Sequence, residues 1–365
     1  MRIEGKDGCR IPAGCAVSAI FSRSGEKENG ERILRSIALM RARSNGLGGG
    51  FAAYGIYPEF AECYAFHLFY ESPRAKEDCE AYLERNYEIA GEAKIPTRKI
   101  AEITDEPLIC RYFVYPLRTR LEASGLSADD FVVRAVMHIN ADIDGAYIFS
   151  SGKNMGVFKG VGYPEDVGRF YRLETYEADC WTAHGRYPTN TPGWWGGAHP
   201  FAMLGMSVVH NGEISSYDAN RRAIEMFGYK CSLLTDTEVI AYILDYLTRK
   251  QGFTLAETAQ IIAAPFWSRI DRMEPAERAR LTGLRERFGS LLVTGPFSVL
   301  VGFDGGIMAL NDRLKLRSLV VAEKGDTVYM ASEESAIRVV EPAPDKIFAP
   351  PGGEAVIYTK DREVG

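Results

Sequence analysis

The most informative part of the chain reads HGRYPTNTPGWWGGAHPF at 184–201, VVHNGEISS at 208–216 and LLTDTEVI at 233–240. It contains a cation, Arg186, an amide beside a glycine, Asn211-Gly212, and an acidic helix start at Asp236. A guanidinium can hold a carboxylate through two hydrogen bonds, and paired N–H donors can stabilise an oxyanion. The segment has no strong nucleophile, and Cys15 can provide one.

Seven motifs resemble class II glutamine amidotransferases, most closely the amidotransferase part of glutamate synthase. They are GCAVSAIF at 14–21, HGRYPTNT at 184–191, HNGE at 210–213, TDTE at 235–238 and, more weakly, GPFSVLVG at 295–302, NDRLKLRSL at 311–319 and ASEESAIR at 331–338. Together they span most of the chain except about 60–150. Ala16 departs from the glycine usual in the family, so the backbone there must accept a side chain.

The resemblance implies an α+β fold, the N-terminal-nucleophile hydrolase four-layer αββα sandwich. Periodicity alone supports only α+β. The segment at about 60–150 lies outside the resemblance, and its pattern predicts an inserted α+β module. The predicted elements are strands at 63–70, 95–103, 108–117 and 146–151, and helices starting near Ser72-Pro73 and Ser127. Their order is that of a ferredoxin-like plait.

Composition excludes several functional classes. The 365 residues carry a net charge of −6, which argues against nucleic acid as a partner because phosphate binding needs a basic face. The chain has no run of eighteen apolar residues, so no membrane span is predicted. The first residues do not resemble a secretory signal. Seven cysteines without a CxxC pair indicate a reducing compartment, the cytoplasm, rather than a disulfide framework.

Cys15 needs a base, because a free thiol has a pKa of about 8.5 and attacks as a thiolate. The α-amine of Cys15, with a pKa of about 7.7–8.0 if it were free, can take the proton as in other N-terminal nucleophile enzymes. We therefore expect residues 1–14 to be a leader that is removed, leaving 15–365 as the amidotransferase domain. The alternative is that Cys15 is a core cysteine at the start of a strand.

Asn211-Gly212 admits two compatible interpretations. Asn-Gly is a strong signal for a hairpin turn. The resemblance adds an oxyanion hole, formed by the Asn211 side-chain amide and the Gly212 backbone N–H.

The remaining motif residues would bind the substrate. The resemblance implies that Arg186 clamps the glutamine α-carboxylate, that Thr189 shares this contact and that Asp236 binds the α-ammonium group. Asp236 also has a structural interpretation, because TDTE at 235–238 is a capping box at a helix start.

Three further patterns are interpreted here. Trp194-Trp195, between glycines, predicts a lid over the substrate or an anchor for a partner subunit. GLGGG at 46–50 follows a helix and lacks the P-loop signature, so we reject a nucleotide site there. The histidines at 184, 199 and 210 lack zinc-site spacing, and no metal is expected.

The sequence thus predicts hydrolysis of the glutamine side-chain amide through a Cys15 thioester. No cofactor is expected in this chain. The resemblance implies a separate glutamate synthase subunit carrying FMN and iron–sulfur clusters, which receives the ammonia. The alternative is a catalytically silent binding or regulatory subunit that keeps the fold.

Overall fold

A computed structural model describes residues 14–188 and 193–360. The predicted leader, except Gly14, and Thr189 lie outside these residues. The strands are β1 Ala16–Ser22, β2 Glu28–Asn29, β3 Gly49–Tyr54, β4 Tyr64–Tyr70, β5 Tyr87–Lys94, β6 Leu108–Pro116, β7 Ala146–Ser150, β8 Met155–Gly160, β9 Glu177–Ala178, β10 Cys180–Gly185, β11 Phe201–Met203, β12 Met206–Gly212, β13 Phe297–Phe303, β14 Gly306–Asn311, β15 Val320–Lys324, β16 Thr327–Ala331, β17 Lys346–Phe348 and β18 Val356–Thr359.

The helices are α1 Glu31–Leu39, α2 Pro73–Asn86, α3 Arg118–Ser124, α4 Ala128–Asp142, α5 Pro164–Phe170, α6 Tyr217–Glu225, α7 Asp236–Asp245, α8 Leu255–Ile262, α9 Trp267–Ile270, α10 Pro275–Arg287 and α11 Glu334–Arg338. A π-helical turn, Tyr246–Lys250, continues α7. Within the described ranges, no helix has the length and apolar character needed to span a bilayer.

Two antiparallel sheets form the centre of the molecule. The first has the order β17-β15-β16-β1-β10-β3-β8 and the second β11-β12-β13-β14-β18. Strand β1 contacts β12 and β13 across the interface between the sheets. Helices α1, α5 and α11 cover the outer face of the first sheet, and α7 covers the second. This is the expected αββα arrangement, and the fold class is confirmed.

The core lies mainly between these sheets, because their inner strands are apolar on both faces. All seven residues of β1, AVSAIFS, are buried. Ala19 of β1 shares an apolar cluster with Val209 of β12 and Leu300 of β13. Burying such side chains is the main source of stability. Here it also holds β1 against β12.

The segment at about 60–150 forms a sheet of its own, with the order β5-β6-β4-β7. Helices α2 and α4 pack on it, so the chain order strand-helix-strand-strand-helix-strand is that of a ferredoxin-like plait, with α3 as an extra helix. We call β4 to β7 and their helices the inserted module. One side of its sheet joins the core cluster that contains the buried face of α7, and the other side joins the cluster between the two central sheets.

One predicted strand of the module is wrong. Residues 95–103 are irregular, and the second strand is instead β5 at Tyr87–Lys94, directly after α2. Strand β5 is at the edge of its sheet and most of its side chains are partly or fully exposed. It therefore lacks the apolar content by which a strand is recognised in a sequence.

Candidate active site

Cys15 lies immediately before β1, the strand flanked by β10 and β16. Because Ala16 pairs with Gly185 at the end of β10, Cys15 meets the chain as it leaves β10. The Tyr187 N–H donates a hydrogen bond to Cys15 Sγ at 3.3 Å. Arg43 Nε donates to the Cys15 carbonyl at 3.2 Å, so hydrogen bonds hold both the side chain and the backbone of Cys15.

The thiol is not activated in the intact chain. Burial raises the pKa of Cys15, and the Asp236 carboxylate adds to this rise. The Tyr187 N–H and the cations Arg186 and Arg317 lower the pKa, but the net shift is upward. A thiol with a raised pKa stays protonated at neutral pH and needs a base. This is the situation that release of the Cys15 α-amine would change.

The predicted catalytic and substrate-binding residues that the structure describes line one cavity of about 540 Å³. Its wall includes Cys15, Arg186, Asn211, Gly212 and Asp236. The cavity lies in the size range of about 300–1,000 Å³ typical of small-molecule sites. We call it the glutamine cavity, after the substrate that the sequence predicts. Residues more than 200 positions apart in the chain therefore share one pocket, and of the predicted set only Thr189 lies outside the described residues.

Asn211 and Gly212 end strand β12 and do not form a hairpin turn. Gly212 pairs with Phe297 of β13, so the hairpin interpretation is wrong. Gly212 has φ +152°, and a Cβ there would lie 2.0 Å from the Pro296 carbonyl oxygen. Glycine is thus required by close backbone approach. Asn211 Nδ2 donates to Ser332 Oγ at 3.4 Å, which ties the amide to the other sheet.

The glycine-rich stretch GLGGG accommodates Arg186. Gly48 accepts the Arg186 backbone N–H at 2.8 Å, and a Cβ on Gly48 would lie 3.0 Å from Arg186 Cδ. A Cβ on Gly197 would lie 3.0 Å from a terminal guanidinium nitrogen of Arg186. Burial lowers the pKa of Arg186, whereas Cys15 and Asp236 raise it. Arginine remains a cation under such shifts.

Asp236 is the first residue of α7, and the predicted capping box is only half formed. The Thr235 hydroxyl accepts the Glu238 N–H at 3.2 Å, as a cap should. The Glu238 carboxylate accepts the Leu233 N–H at 3.0 Å instead of closing a capping box. Asp236 Oδ2 accepts the Ile214 N–H at 3.2 Å, which aims the carboxylate at the cavity that it lines.

A hydroxyl, Thr237 Oγ1, connects Asp236 to two buried histidines. It lies 2.6 Å from His199 Nε2, 3.2 Å from His210 Nδ1 and 3.2 Å from Asp236 Oδ1. His199, His210 and Asp236 lie close enough together to suggest a metal site. However, the three atoms named above already have the Thr237 hydroxyl as a hydrogen-bond partner. Burial lowers the pKa of His199 well below its usual value, so the ring is neutral and contacts the Thr237 hydroxyl that donates to Asp236.

The pKa of Asp236 follows from these contacts. Burial raises the pKa of Asp236. His210, the Ile214 N–H and the Thr237 hydroxyl together lower it by more than burial raises it, so the net shift is downward. Asp236 is therefore an anion at neutral pH. An anion facing Arg186 across one cavity is the arrangement that an α-amino acid requires.

Sequence reasoning missed several residues of this site. The Tyr187 contribution is a backbone N–H, which no side-chain pattern reveals. Arg317 lines the cavity, and its Nε has no hydrogen-bond partner among the described residues. The NDRLKLRSL motif contains Arg317, but only the structure shows that this part of the motif reaches Cys15.

The two tryptophans do not line the glutamine cavity within the described ranges. Trp195 is buried and packs against Phe170, with a ring-centroid distance of 5.9 Å. Trp194 lies edge-on to Tyr147 at 5.4 Å. In this state both act as packing residues, and the predicted lid remains a prediction.

Comparison with known proteins adds a family. A family model for class-II glutamine amidotransferases matches residues 70–349, a range that begins after Cys15. An uncharacterized protein of Archaeoglobus fulgidus is 48% identical over 353 residues, covering 96% of this chain and 93% of that protein. An amidophosphoribosyltransferase of Methanocaldococcus jannaschii is 25% identical over 219 residues, covering 59% of this chain and 40% of that protein.

Two further comparisons are with longer proteins. A glutamine–fructose-6-phosphate aminotransferase of Xylella fastidiosa is 30% identical over 172 residues, covering 47% of this chain and 28% of that enzyme. The solved glutamine phosphoribosylpyrophosphate amidotransferase of B. subtilis aligns with a TM-score of 0.47 and 14% identity, covering 94% of this chain and 47% of that chain. The present chain thus spans less than half of these named enzymes.

Proposed function

This chain belongs to the class II glutamine amidotransferases, and on that premise we propose that it hydrolyses the side-chain amide of glutamine with Cys15 as nucleophile. One observation carries the proposal: Cys15, the Asn211-Gly212 pair, Arg186 and Asp236 line the same cavity. The proposal supplies each with a role, and Thr189 keeps its predicted contact with the substrate.

The proposed reaction begins with removal of the residues before Cys15. Gly14 lines the cavity, so the peptide bond to be cut lies at the site. The freed α-amine takes the Cys15 proton, and Sγ attacks the amide carbon of glutamine. The oxygen becomes an oxyanion that Asn211 Nδ2 and the Gly212 N–H stabilise. The amine gives the proton to the amide nitrogen, which leaves as ammonia, and water then cleaves the thioester to glutamate and the free Cys15 thiol.

Substrate selection in this scheme depends on both charged ends of glutamine. Arg186 binds the α-carboxylate through its guanidinium fork, and Asp236 binds the α-ammonium group. A site whose buried polar groups need both partners rejects analogues that lack one, because the unmatched group would remain unpaired.

The intact mass of the purified protein tests the first step. Loss of residues 1–14, followed by covalent labelling of Cys15 by an electrophilic glutamine analogue, is the expected result. A Cys180→Ala variant is the matched control, because Cys180 is also free but buried within β10. A retained leader with no labelling at Cys15 would contradict the proposal and favour a silent regulatory subunit.

We further propose that the ammonia passes to a partner synthase, namely a glutamate synthase subunit with FMN and iron–sulfur clusters. Exposed leucines near the cavity support a docking surface. Leu234 lines the cavity and is 60% exposed, and Leu316, next to the cavity residue Arg317, is 56% exposed. Exposed apolar side chains grouped around a site are typical of interaction surfaces.

Affinity purification of the tagged chain from its native cells tests this partner. We expect a co-purifying protein with flavin absorbance and bound iron, and less of it with Leu234→Glu. Leu39→Glu is the control, because Leu39 is 50% exposed at the end of α1 and does not line the cavity. A partner without flavin and iron would refute the glutamate synthase assignment and leave the glutaminase proposal intact.

A further inference from the structure

A second cavity, of about 610 Å³, lies between the inserted module and the helices that cover the second sheet. We call it the module cavity. Its wall includes Tyr82, Arg134 and His138 on the module side and Phe227, Lys230 and Arg249 on the other side. It is slightly larger than the glutamine cavity of about 540 Å³ and shares no lining residue with it. No part of the proposed reaction uses it.

The wall of the module cavity carries more positive than negative groups. Its cations are Arg134, Lys230, Arg249 and Lys250, and its carboxylates are Asp130 and Asp142. Behind the wall, Asp245 forms an ion pair with Arg249 at 2.7 Å. Four cations against three carboxylates still leave a positive excess, in a chain whose overall charge is −6. Such a local excess attracts anions.

Arg134 is the cation best placed to bind a ligand. Within the described part of the chain it has no ion pair or hydrogen bond, and its guanidinium lies over the Phe131 ring at 4.7 Å. Lys230, by comparison, is bound to Asp142 at 2.8 Å. A guanidinium with its five donors uncommitted is suited to a planar or tetrahedral oxyanion.

Aromatic rings lie on both sides of the same cavity. Phe227 is 49% exposed and stacks on Tyr246, with a ring-centroid distance of 4.2 Å. On the module side, Tyr82 lies against His138 at 4.8 Å. Each of these ring contacts holds its cavity ring in place, and an aromatic face of this kind accepts another planar ring.

The π-helical turn after α7 places two of the cations on the wall. Its hydrogen bond runs from the Gln251 N–H to the Tyr246 carbonyl at 3.0 Å, and the turn contains Arg249 and Lys250. Lys250 also forms an ion pair across to Asp130 of α4 at 2.6 Å. Single π turns within helices occur frequently at functional sites.

We propose that the module cavity binds a phosphate monoester carried on a planar ring, that is, a nucleoside monophosphate. Arg134 holds the phosphate, with Lys230 and Lys250 adding charge, and the base lies on Phe227 or Tyr82. A phosphate monoester is an anion with three strong acceptor oxygens, which suit the uncommitted donors of Arg134.

Calorimetric titration of the full chain with AMP, GMP and inorganic phosphate tests the proposal. We expect one site for a nucleotide, weakened about 10- to 100-fold by Arg134→Gln, as for loss of one charge-assisted hydrogen bond, and partly restored in Arg134→Lys. Arg118→Gln is the matched control, because Arg118 lies on α3 of the same module and its side chain is 90% exposed. Phe227→Ala should weaken the binding of AMP but not the binding of inorganic phosphate.

Absence of binding of all three probes at millimolar concentration would overturn the proposal. Equal weakening by Arg118→Gln and Arg134→Gln would show general charge attraction and overturn it as well. Phosphate binding as tight as AMP binding would refute ring recognition. None of these readouts depends on glutamine hydrolysis, so the result is independent of the function proposed for Cys15.

Discussion

Asn211 shows how much one side chain must do in this site. Its amide group has two donor protons, and Ser332 Oγ takes one of them at 3.4 Å. The other proton remains for a ligand oxygen. Ser332 directly follows β16, which lies in a different sheet from β12, so this hydrogen bond links the amide to both sheets. A preorganised donor costs no reorganisation during the reaction.

Asn211→Ala should therefore lower kcat for glutamine hydrolysis by about 10²–10³-fold, the usual loss for one oxyanion donor. Steady-state kinetics would measure it, with KM nearly unchanged because the donor acts mainly in the transition state. The melting temperature serves as the control for folding. A variant with normal kcat and a raised KM would remove Asn211 from the oxyanion hole.

Arg186→Lys should raise KM for glutamine about 10- to 100-fold with a smaller effect on kcat, since an ammonium group cannot form the bidentate pair. Glutamine saturation curves would measure it. The same variant should discriminate less against analogues that lack the α-carboxylate. If kcat fell while KM stayed constant, Arg186 would act on the reacting amide and not on the carboxylate.

At the scale of elements, α7 links the substrate site to the rest of the molecule. It begins with Asp236 in the glutamine cavity and continues into the π-helical turn at the module cavity. Its first turn is held by the Thr235 hydroxyl, which accepts the Glu238 N–H. The position of Asp236 thus depends on how well the helix is capped.

Thr235→Ala should destabilise the protein by about 1 kcal/mol, as for loss of an N-cap, and should also raise KM for glutamine because the first turn that carries Asp236 loosens. Thr254→Ala is the matched control: Thr254 caps α8 in a complete capping box, away from the glutamine cavity. Urea unfolding and glutamine kinetics should separate the two variants. Equal effects of both on KM would contradict this role of the α7 cap.

At the scale of the whole molecule, buried histidines make stability depend on pH. Burial lowers the pKa of His67 and of His184 to about 3 and that of His199 well below its usual value, whereas burial raises the pKa of Glu238 to about 7. Below the usual histidine pKa of about 6.5, the unfolded chain gains three protons that the folded chain excludes. Over the same pH range the folded chain holds one proton on Glu238 that the unfolded chain lacks.

The net difference of about two protons predicts that the free energy of unfolding falls by about 2–3 kcal/mol per pH unit between about pH 6 and 5. Urea unfolding at several pH values would measure the slope. His67→Gln should reduce it by about one proton, since one buried imidazole is gone. An unchanged slope in that variant would contradict the linkage.

Local chemistry made part of this structure predictable. Ser72 and Ser127 marked helix starts that the structure has as N-caps, and the spaced motifs pointed to Cys15 and Asp236. Strand β5 was missed because an exposed edge strand needs little apolar surface. The hairpin predicted at Asn211-Gly212 was wrong, because both residues end β12 and Gly212, with φ +152°, pairs with Phe297 of β13.

From the sequence alone came the residue types, their order and the family resemblance, because side-chain chemistry and local periodicity are properties of short segments. The tertiary structure alone decided that Tyr187 offers a backbone N–H to the thiol, that Gly48 makes room for Arg186, and that Arg317 reaches the same cavity. The reason is physical: these contacts join segments far apart in the chain, and sheet register and core packing bring such segments together.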